Sequence, residues 1–205
     1  MNAPAGLASA VDLAPLRTFV ISFGELLATK VTEDAILKSG SALLERLVAR
    51  DDWLPDAFAR PAPDRYRQYL LHCDSRERFS VVSFVWGPGQ STPIHDHRVW
   101  GLVGVLRGRE KVRHYKKTVS GALRPIGPPA LLHEGEVEGF GPGNSDIHQV
   151  ANGHADAPSV SIHVYGGNIG VVRRATYDDM GREKPFVSGY ANELLPNFWG
   201  GADGA

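Results

Sequence analysis

The sequence predicts a mainly β domain, a small barrel or jelly roll, with a helical segment ahead of it. Three observations carry this expectation: a helical stripe confined to the first third of the chain, short β-branched and aromatic runs after Tyr66, and Gly/Pro clusters that separate those runs. With 205 residues, 42% hydrophobic and 22% charged, the chain can close one sizeable core. A single domain over 1–205 is expected, with a helical segment over 1–65, a barrel over 66–190 and a C-terminal extension over 191–205.

From Leu13 to about Phe58 the pattern is helical. Ile36, Leu37, Gly40, Leu43, Leu44, Leu47 and Val48 recur at spacings of three and four, which gives one apolar face to lay against the barrel. Thr32 followed by Glu33 and Asp34 suits a helix start. Pro61 and Pro63 end the region. Beyond Tyr66, Phe79 to Trp86, Gly101 to Leu106, Lys111 to Tyr115 and Pro158 to Tyr165 read as strands. Gly87-Pro88-Gly89, Arg107-Gly108, Gly127-Pro128-Pro129 and Gly141-Pro142-Gly143 mark turns at the spacing of a small barrel. The last residues, Trp199 to Ala205, read as a frayed end.

Charge narrows the function classes. Lys plus Arg is 22 and Asp plus Glu is 23, so no large field of one sign gathers phosphates or anionic lipid. Neither nucleic acid nor membrane is expected as a partner. The apolar runs fall well short of the roughly 20 residues that cross a bilayer. The opening MNAPAGLASAVDLAP lacks the basic end and apolar stretch of a signal peptide, so a cytoplasmic protein is expected. One cysteine, Cys73, excludes an intrachain disulfide and a Cys-rich zinc site; it reads as a small buried hydrophobe. Eight histidines therefore supply most of the metal-binding capacity.

Among them, His95-Asp96-His97 stands between a turn and an apolar strand. In extended chain, residues two apart face the same side, so both imidazoles can reach one metal while Asp96 faces away. Taken alone, such a pair is as often an accident of the surface or core. His72, His114, His133 and His154 have no motif around them and read as surface or structural.

The frame around the pair is more specific. Gly89, His95, His97 and Gly108 are followed by Gly141-Pro142-Gly143, His148 and Asn152, and this resembles the two signature motifs of the cupin superfamily over about residues 87 to 165. The resemblance implies a cupin jelly-roll barrel in which His148 joins His95 and His97 at a metal. Many cupins carry a glutamate four residues after the second histidine; this chain has Gly101. A neutral three-histidine site follows, which leaves open positions for substrate and favours an anionic ligand such as a thiolate.

With Ser161-Ile162-His163-Val164-Tyr165 added, the pattern looks like the cysteine dioxygenase family. Alternation puts Ser161, His163 and Tyr165 on one face of a strand, where hydroxyl, imidazole and phenol can form a hydrogen-bonded chain. In the family this triad orients ligands without coordinating the metal. The implied cofactor is one mononuclear non-haem Fe(II), and the implied reaction adds both atoms of O₂ to the sulfur of a small thiol. Cysteine-specific members have an arginine where Tyr66-Arg67-Gln68 places Gln68, and a neutral amide cannot make a bidentate charged clamp. The Gln version, with His-Asp-His-x-Val-Trp-Gly, is similar to the bacterial 3-mercaptopropionate dioxygenases. The substrate carboxylate then needs another partner, Arg173 or Arg174, with Arg174 preferred by family position. Trp100-Gly101-Leu102 also lacks the cysteine that eukaryotic members crosslink to the active-site tyrosine. The alternatives are a cysteine dioxygenase, another cupin enzyme and, in a different class, a non-catalytic metal-binding cupin. Oligomeric state is left open by the sequence.

Overall fold

The computed structural model describes residues 11–142 and 146–199. Gly143 of the predicted fourth turn and most of the C-terminal run expected to fray, residues 200–205, lie outside the described residues, as do residues 1–10.

The helical segment resolves into α1 (Ala14–Leu26), α2 (Glu33–Val48) and a short 3-10 turn (Asp56–Phe58). Thr32 caps α2 by accepting from Ala35 N at 3.3 Å, and Glu33 and Asp34 occupy the first turn, where the helix dipole favours acids. Of the predicted stripe, Ile36, Gly40, Leu44, Leu47 and Val48 are buried. Gly40 lets the helix come close: a Cβ there would lie 2.8 Å from Leu102 and 2.9 Å from Phe23.

The remaining regular elements among the described residues are strands. In order the strands are β1 (Arg67–Cys73), β2 (Ser80–Trp86), β3 (Ile94–His95), β4 (Gly101–Arg107), β5 (Arg109–Lys117), β6 (Leu123–Pro125), β7 (Ala130–His133), β8 (Val137–Phe140), β9 (His148–Asn152), β10 (Ser159–Tyr165), β11 (Arg174–Tyr177) and β12 (Glu183–Phe186). One sheet runs β1-β2-β10-β4-β8 and the other β12-β11-β3-β9-β5-β6, with β7 also on β5. All pairings are antiparallel. The mainly β expectation with leading helices thus agrees with the structure. Within it, β5 is longer than the predicted Lys111 to Tyr115, because its ends are charged and give no apolar signal.

β2 and β10 are buried along their whole length, which a one-sided sheet would not allow. Alternation explains it. Val81, Val85, Val160, Ile162 and Val164 face the helices, in one core with Leu16, Phe19, Phe23, Leu44 and Leu71. Val82, Phe84, Trp86 and Tyr165 face the barrel interior, in a second core with Val103, Val112, Phe140 and Val150. Interior-facing polar residues of β10 are therefore dry by construction.

Gly101 opens β4 opposite Phe140 of β8. A Cβ at this position would overlap the Phe140 ring, so the missing glutamate of the sequence motif is a packing requirement: the ring occupies its space. Phe140 in turn lies 4.5 Å from the His97 ring and 4.8 Å from the His148 ring, centroid to centroid. Gly101→Ala is expected to cost about 1–3 kcal/mol through overpacking, measured as a lowered urea midpoint at unchanged slope.

Candidate metal centre

Two short strands and the loop after the first deliver the histidines. His95 ends β3 and pairs with His148, the first residue of β9, while His97 follows two residues later in the loop. Their ring centroids are 4.7 to 5.0 Å apart, and one ligand nitrogen from each lies within 4.8 Å of the others. The structure therefore brings together the three residues that the sequence nominated, and they form a group that can hold a metal ion.

Backbone and side-chain partners set the tautomers. His95 Nδ1 lies 3.0 Å from Pro93 O; a carbonyl only accepts, so Nδ1 carries the proton and Nε2 the lone pair. His97 Nδ1 lies 3.2 Å from Asp146 Oδ1, which also accepts from His97 N at 2.8 Å, and the same assignment follows. The two Nε2 atoms are then 3.1 Å apart with lone pairs converging. Such a contact is repulsive unless a cation lies between them. Metal–nitrogen bonds of about 2.0–2.1 Å put two ligand nitrogens about 3 Å apart, so the spacing fits a bound ion.

Electrostatics agree with neutral ligands. All three histidines are buried, and loss of hydration lowers the pKa of His95 to about 4 and those of His97 and His148 well below the ordinary value. Crowding by the other imidazoles works in the same direction for His97 and His148. Among the described residues no carboxylate completes the set. Asp96 turns away as alternation requires: Oδ1 accepts from Ala175 N at 2.8 Å and Oδ2 from Tyr177 OH at 2.8 Å.

Beside the histidines lies a cavity of about 310 Å³, whose walls include Gln68, His163, Tyr165 and Arg174. Within β10, Tyr165 OH is 2.8 Å from His163 Nδ1, and His163 Nε2 is 2.8 Å from Ser161 Oγ, so the predicted chain is continuous. Phe84 stacks on the His163 ring at 4.0 Å. Burial lowers the His163 pKa to about 3 and raises that of Tyr165 above its ordinary value, so imidazole and phenol are both neutral at pH 7. Gln68, on β1, is half-buried at the cavity wall.

The two arginines differ in position at the start of β11. Arg173 is exposed, whereas Arg174 begins β11, is 3% exposed and lines the cavity. Arg174 Nη2 donates to Ser188 Oγ at 2.7 Å, and its guanidinium lies 4.7 Å from the Phe186 ring centroid. Its Nε is buried without a partner. Burial lowers its pKa, yet a guanidinium stays charged in a protein, and a dry cation with an idle donor suits an anionic ligand.

Sequence reasoning missed Asp146, which aims His97; an acid two residues before a ligand histidine is the only signal, and it is a weak one. It also left aside Glu110, wholly buried in β5. Of the histidines read as structural, His114 is half-buried, faces His148 across the β5–β9 pairing and lies 2.7 Å from Glu138. His133 is exposed, and His72 packs between Phe79 and Phe198. Cys73 is partly exposed at the end of β1.

No family model matches the chain. Among solved structures it is similar to an uncharacterised protein with a double-stranded β-helix domain from Klebsiella pneumoniae, at 19% identity over 58% of this chain and 93% of that one, TM-score 0.45. It is also similar to a cupin superfamily protein from Desulfitobacterium hafniense, at 12% identity over 58% and 94%, TM-score 0.43. An oxalate oxidase bound to a glycolate substrate analogue gives 16% identity over 58% and 60%, TM-score 0.42. Likeness at this level says nothing of substrate or reaction. No helix among the described residues is long and apolar enough to cross a membrane.

His148→Ala is expected to lose metal on dialysis, measured by elemental analysis, whereas Tyr165→Phe keeps it. A second expectation concerns acid. Unfolded histidine protonates below about pH 6.5, while His95 and His163 in the folded protein resist until about 4 and about 3. The unfolded state thus binds more protons across this window, and metal-free protein should lose stability as pH falls through it. The loss is up to about 1.4 kcal/mol per pH unit for each such histidine, read from urea midpoints at stepped pH.

Proposed function

We propose that this protein is an Fe(II)-dependent dioxygenase of small thiol carboxylates, acting on 3-mercaptopropionate in preference to cysteine. The observation that carries the reading is the shared cavity. Three neutral histidines, a dry Arg174 with an unpartnered Nε, and the Tyr165 end of a polar chain all open on it.

His95, His97 and His148 would hold the iron. When bound, it supplies one centre at which a thiolate and O₂ can meet, so that proximity replaces a chance encounter. Because the histidines are uncharged, the site keeps a net positive charge that favours a thiolate. Arg174 binds and orients the carboxylate at the far end of the substrate, with Ser188 and Phe186 holding the guanidinium in place. Tyr165 offers a hydroxyl held at one angle by His163. Phe84, Trp86 and Val150 keep the cavity wall apolar and restrict water. The overall change is RSH plus O₂ to RSO₂H: two S–O bonds form, the O–O bond breaks, sulfur loses four electrons to oxygen, and the thiol proton leaves to the sulfinate or solvent.

Preference among thiols follows from what the wall lacks. Among the described residues lining the cavity there is no Asp or Glu to pair with the ammonium of cysteine. Gln68 gives a neutral amide at the place where the motif comparison puts a charged clamp in cysteine-specific proteins. A thiol without an ammonium is therefore the better match.

Oxygen uptake after anaerobic loading with Fe(II) tests the reading, with 3-mercaptopropionate and cysteine as the first two thiols. Sulfinate from the former at the higher kcat/KM is expected. Absence of sulfinate from any small thiol, together with tightly held zinc, would identify a metal-binding protein without this activity. Arg174→Gln should lower kcat/KM for the carboxylate thiol by about 10- to 100-fold, the worth of one charge-assisted pair, while metal content stays constant.

A further inference from the structure

One buried ionisable group has no part in the site described above. Glu110 is the second residue of β5, with 0% of its surface exposed. Alternation turns Arg109, Lys111 and Arg113 outward and Glu110, Val112 and His114 towards the barrel interior. Neither carboxyl oxygen has a hydrogen-bond partner among the described residues. Its cross-strand neighbours are Asn152 of β9 and Leu132 of β7. The Asn152 side chain is already committed, donating to Trp86 O, Gly87 O and Ala157 O and accepting from His154 N. From β2 and β10, Trp86 and Ser161 are the polar groups close enough to act on Glu110. Among the described residues no charged group of β2, β7, β9 or β10 acts on it; the titratable groups of β10 on the same side are His163, bonded to Ser161, and Tyr165, on which the Glu110 charge bears from further off.

Ser161 is thus the meeting point. Its Oγ lies 2.8 Å from His163 Nε2 and accepts from Trp86 Nε1 at 3.4 Å, and an indole N–H can only donate. One hydroxyl proton remains, with two acceptors for it: His163 Nε2 or the Glu110 carboxylate. We propose that Glu110 is a positioning residue that sets the direction of the Ser161–His163–Tyr165 chain, and so decides whether Tyr165 turns its proton or its oxygen lone pair to the cavity.

Both arrangements can be written with every proton placed. With Glu110 ionised, Ser161 donates to its carboxylate, His163 Nε2–H donates to Ser161, and Tyr165 donates to His163 Nδ1. The phenol proton is then used inside the strand. With Glu110 protonated, its O–H donates to Ser161 Oγ, Ser161 donates to His163 Nε2, and His163 Nδ1–H donates to the Tyr165 oxygen. The phenol proton is then free to point at the cavity. The two differ by the one proton on Glu110 and by the tautomer of a neutral His163. Burial pushes the Glu110 carboxyl up to about 7, so both are within reach near neutrality.

The direction of the chain stands independently of the reaction; its effect on turnover rests on the thiol dioxygenase reading. Nitrogen-15 NMR of histidine-labelled full chain with zinc(II) added reports the His163 tautomer, with His163→Gln to assign the signal. The wild type is expected to pass from Nδ1–H in mildly acidic buffer to Nε2–H in mildly alkaline buffer. Glu110→Leu leaves Ser161 no acceptor but His163, and should hold Nδ1–H throughout. Glu110→Gln, closer in shape, should show one tautomer independent of pH. A wild-type tautomer that does not change with pH, or one that changes alike in either variant, overturns the proposal. With iron and thiol, the wild-type rate should carry a limb that falls about tenfold per pH unit as Glu110 ionises, and this limb should be absent from Glu110→Gln. A tautomer switch without any thiol oxidation would leave Glu110 in its role and remove the proposed reaction.

Discussion

Exclusion of water from the barrel interior is the constraint on which the rest of this structure depends. Helices α1 and α2 cover one face of the β1-β2-β10-β4-β8 sheet, so the opposite face, closed by the second sheet, is sealed on both sides. Polar groups placed there must be neutral, paired or ready for a ligand. His95, His97, His148 and His163 are kept neutral, Tyr165 keeps its proton, and Glu110 is driven towards keeping its own. Arg174 cannot neutralise itself; it lines the cavity and keeps a buried Nε without a partner. One physical cause thus produces both a ligand set that welcomes a cation and a cation that welcomes an anion.

Much of this was legible in the sequence where a period repeats. The α2 stripe, the cap at Thr32 and the alternation of Ser161, His163 and Tyr165 are local, and the fold uses each as read. The His-x-His pair was ambiguous on its own, since it does not specify what stands opposite. The structure supplies His148 across the β3–β9 pairing. Arg173 and Arg174 are neighbours that sequence distance cannot separate, whereas the register of β11 sends one out and the other in.

What escaped the sequence has a common character. Asp146 and Glu110 are single acids whose settings come from a partner at His97 and a neighbour at Ser161, far along the chain. No period announces them. The sign at Glu110 was an acid on the apolar parity of β5, beside Val112, and it needs the strand register before it can be read. Gly101 shows the reverse case. Its lack of a side chain was visible at once, but the reason, the Phe140 ring in the vacated space, belongs to the β4–β8 pairing.

Asp96 joins the two halves of the cavity. It sits between the two histidines of β3 and its loop, and it binds Ala175 N and Tyr177 OH on the strand that begins with Arg174. The nitrogen cluster and the guanidinium are therefore mounted on one braced frame. On the function proposed above, two anchor points so mounted would act as a ruler: a ligand that must touch both is selected by the number of bonds between its ends. A chain one carbon longer or shorter then loses an anchor or bends to keep it.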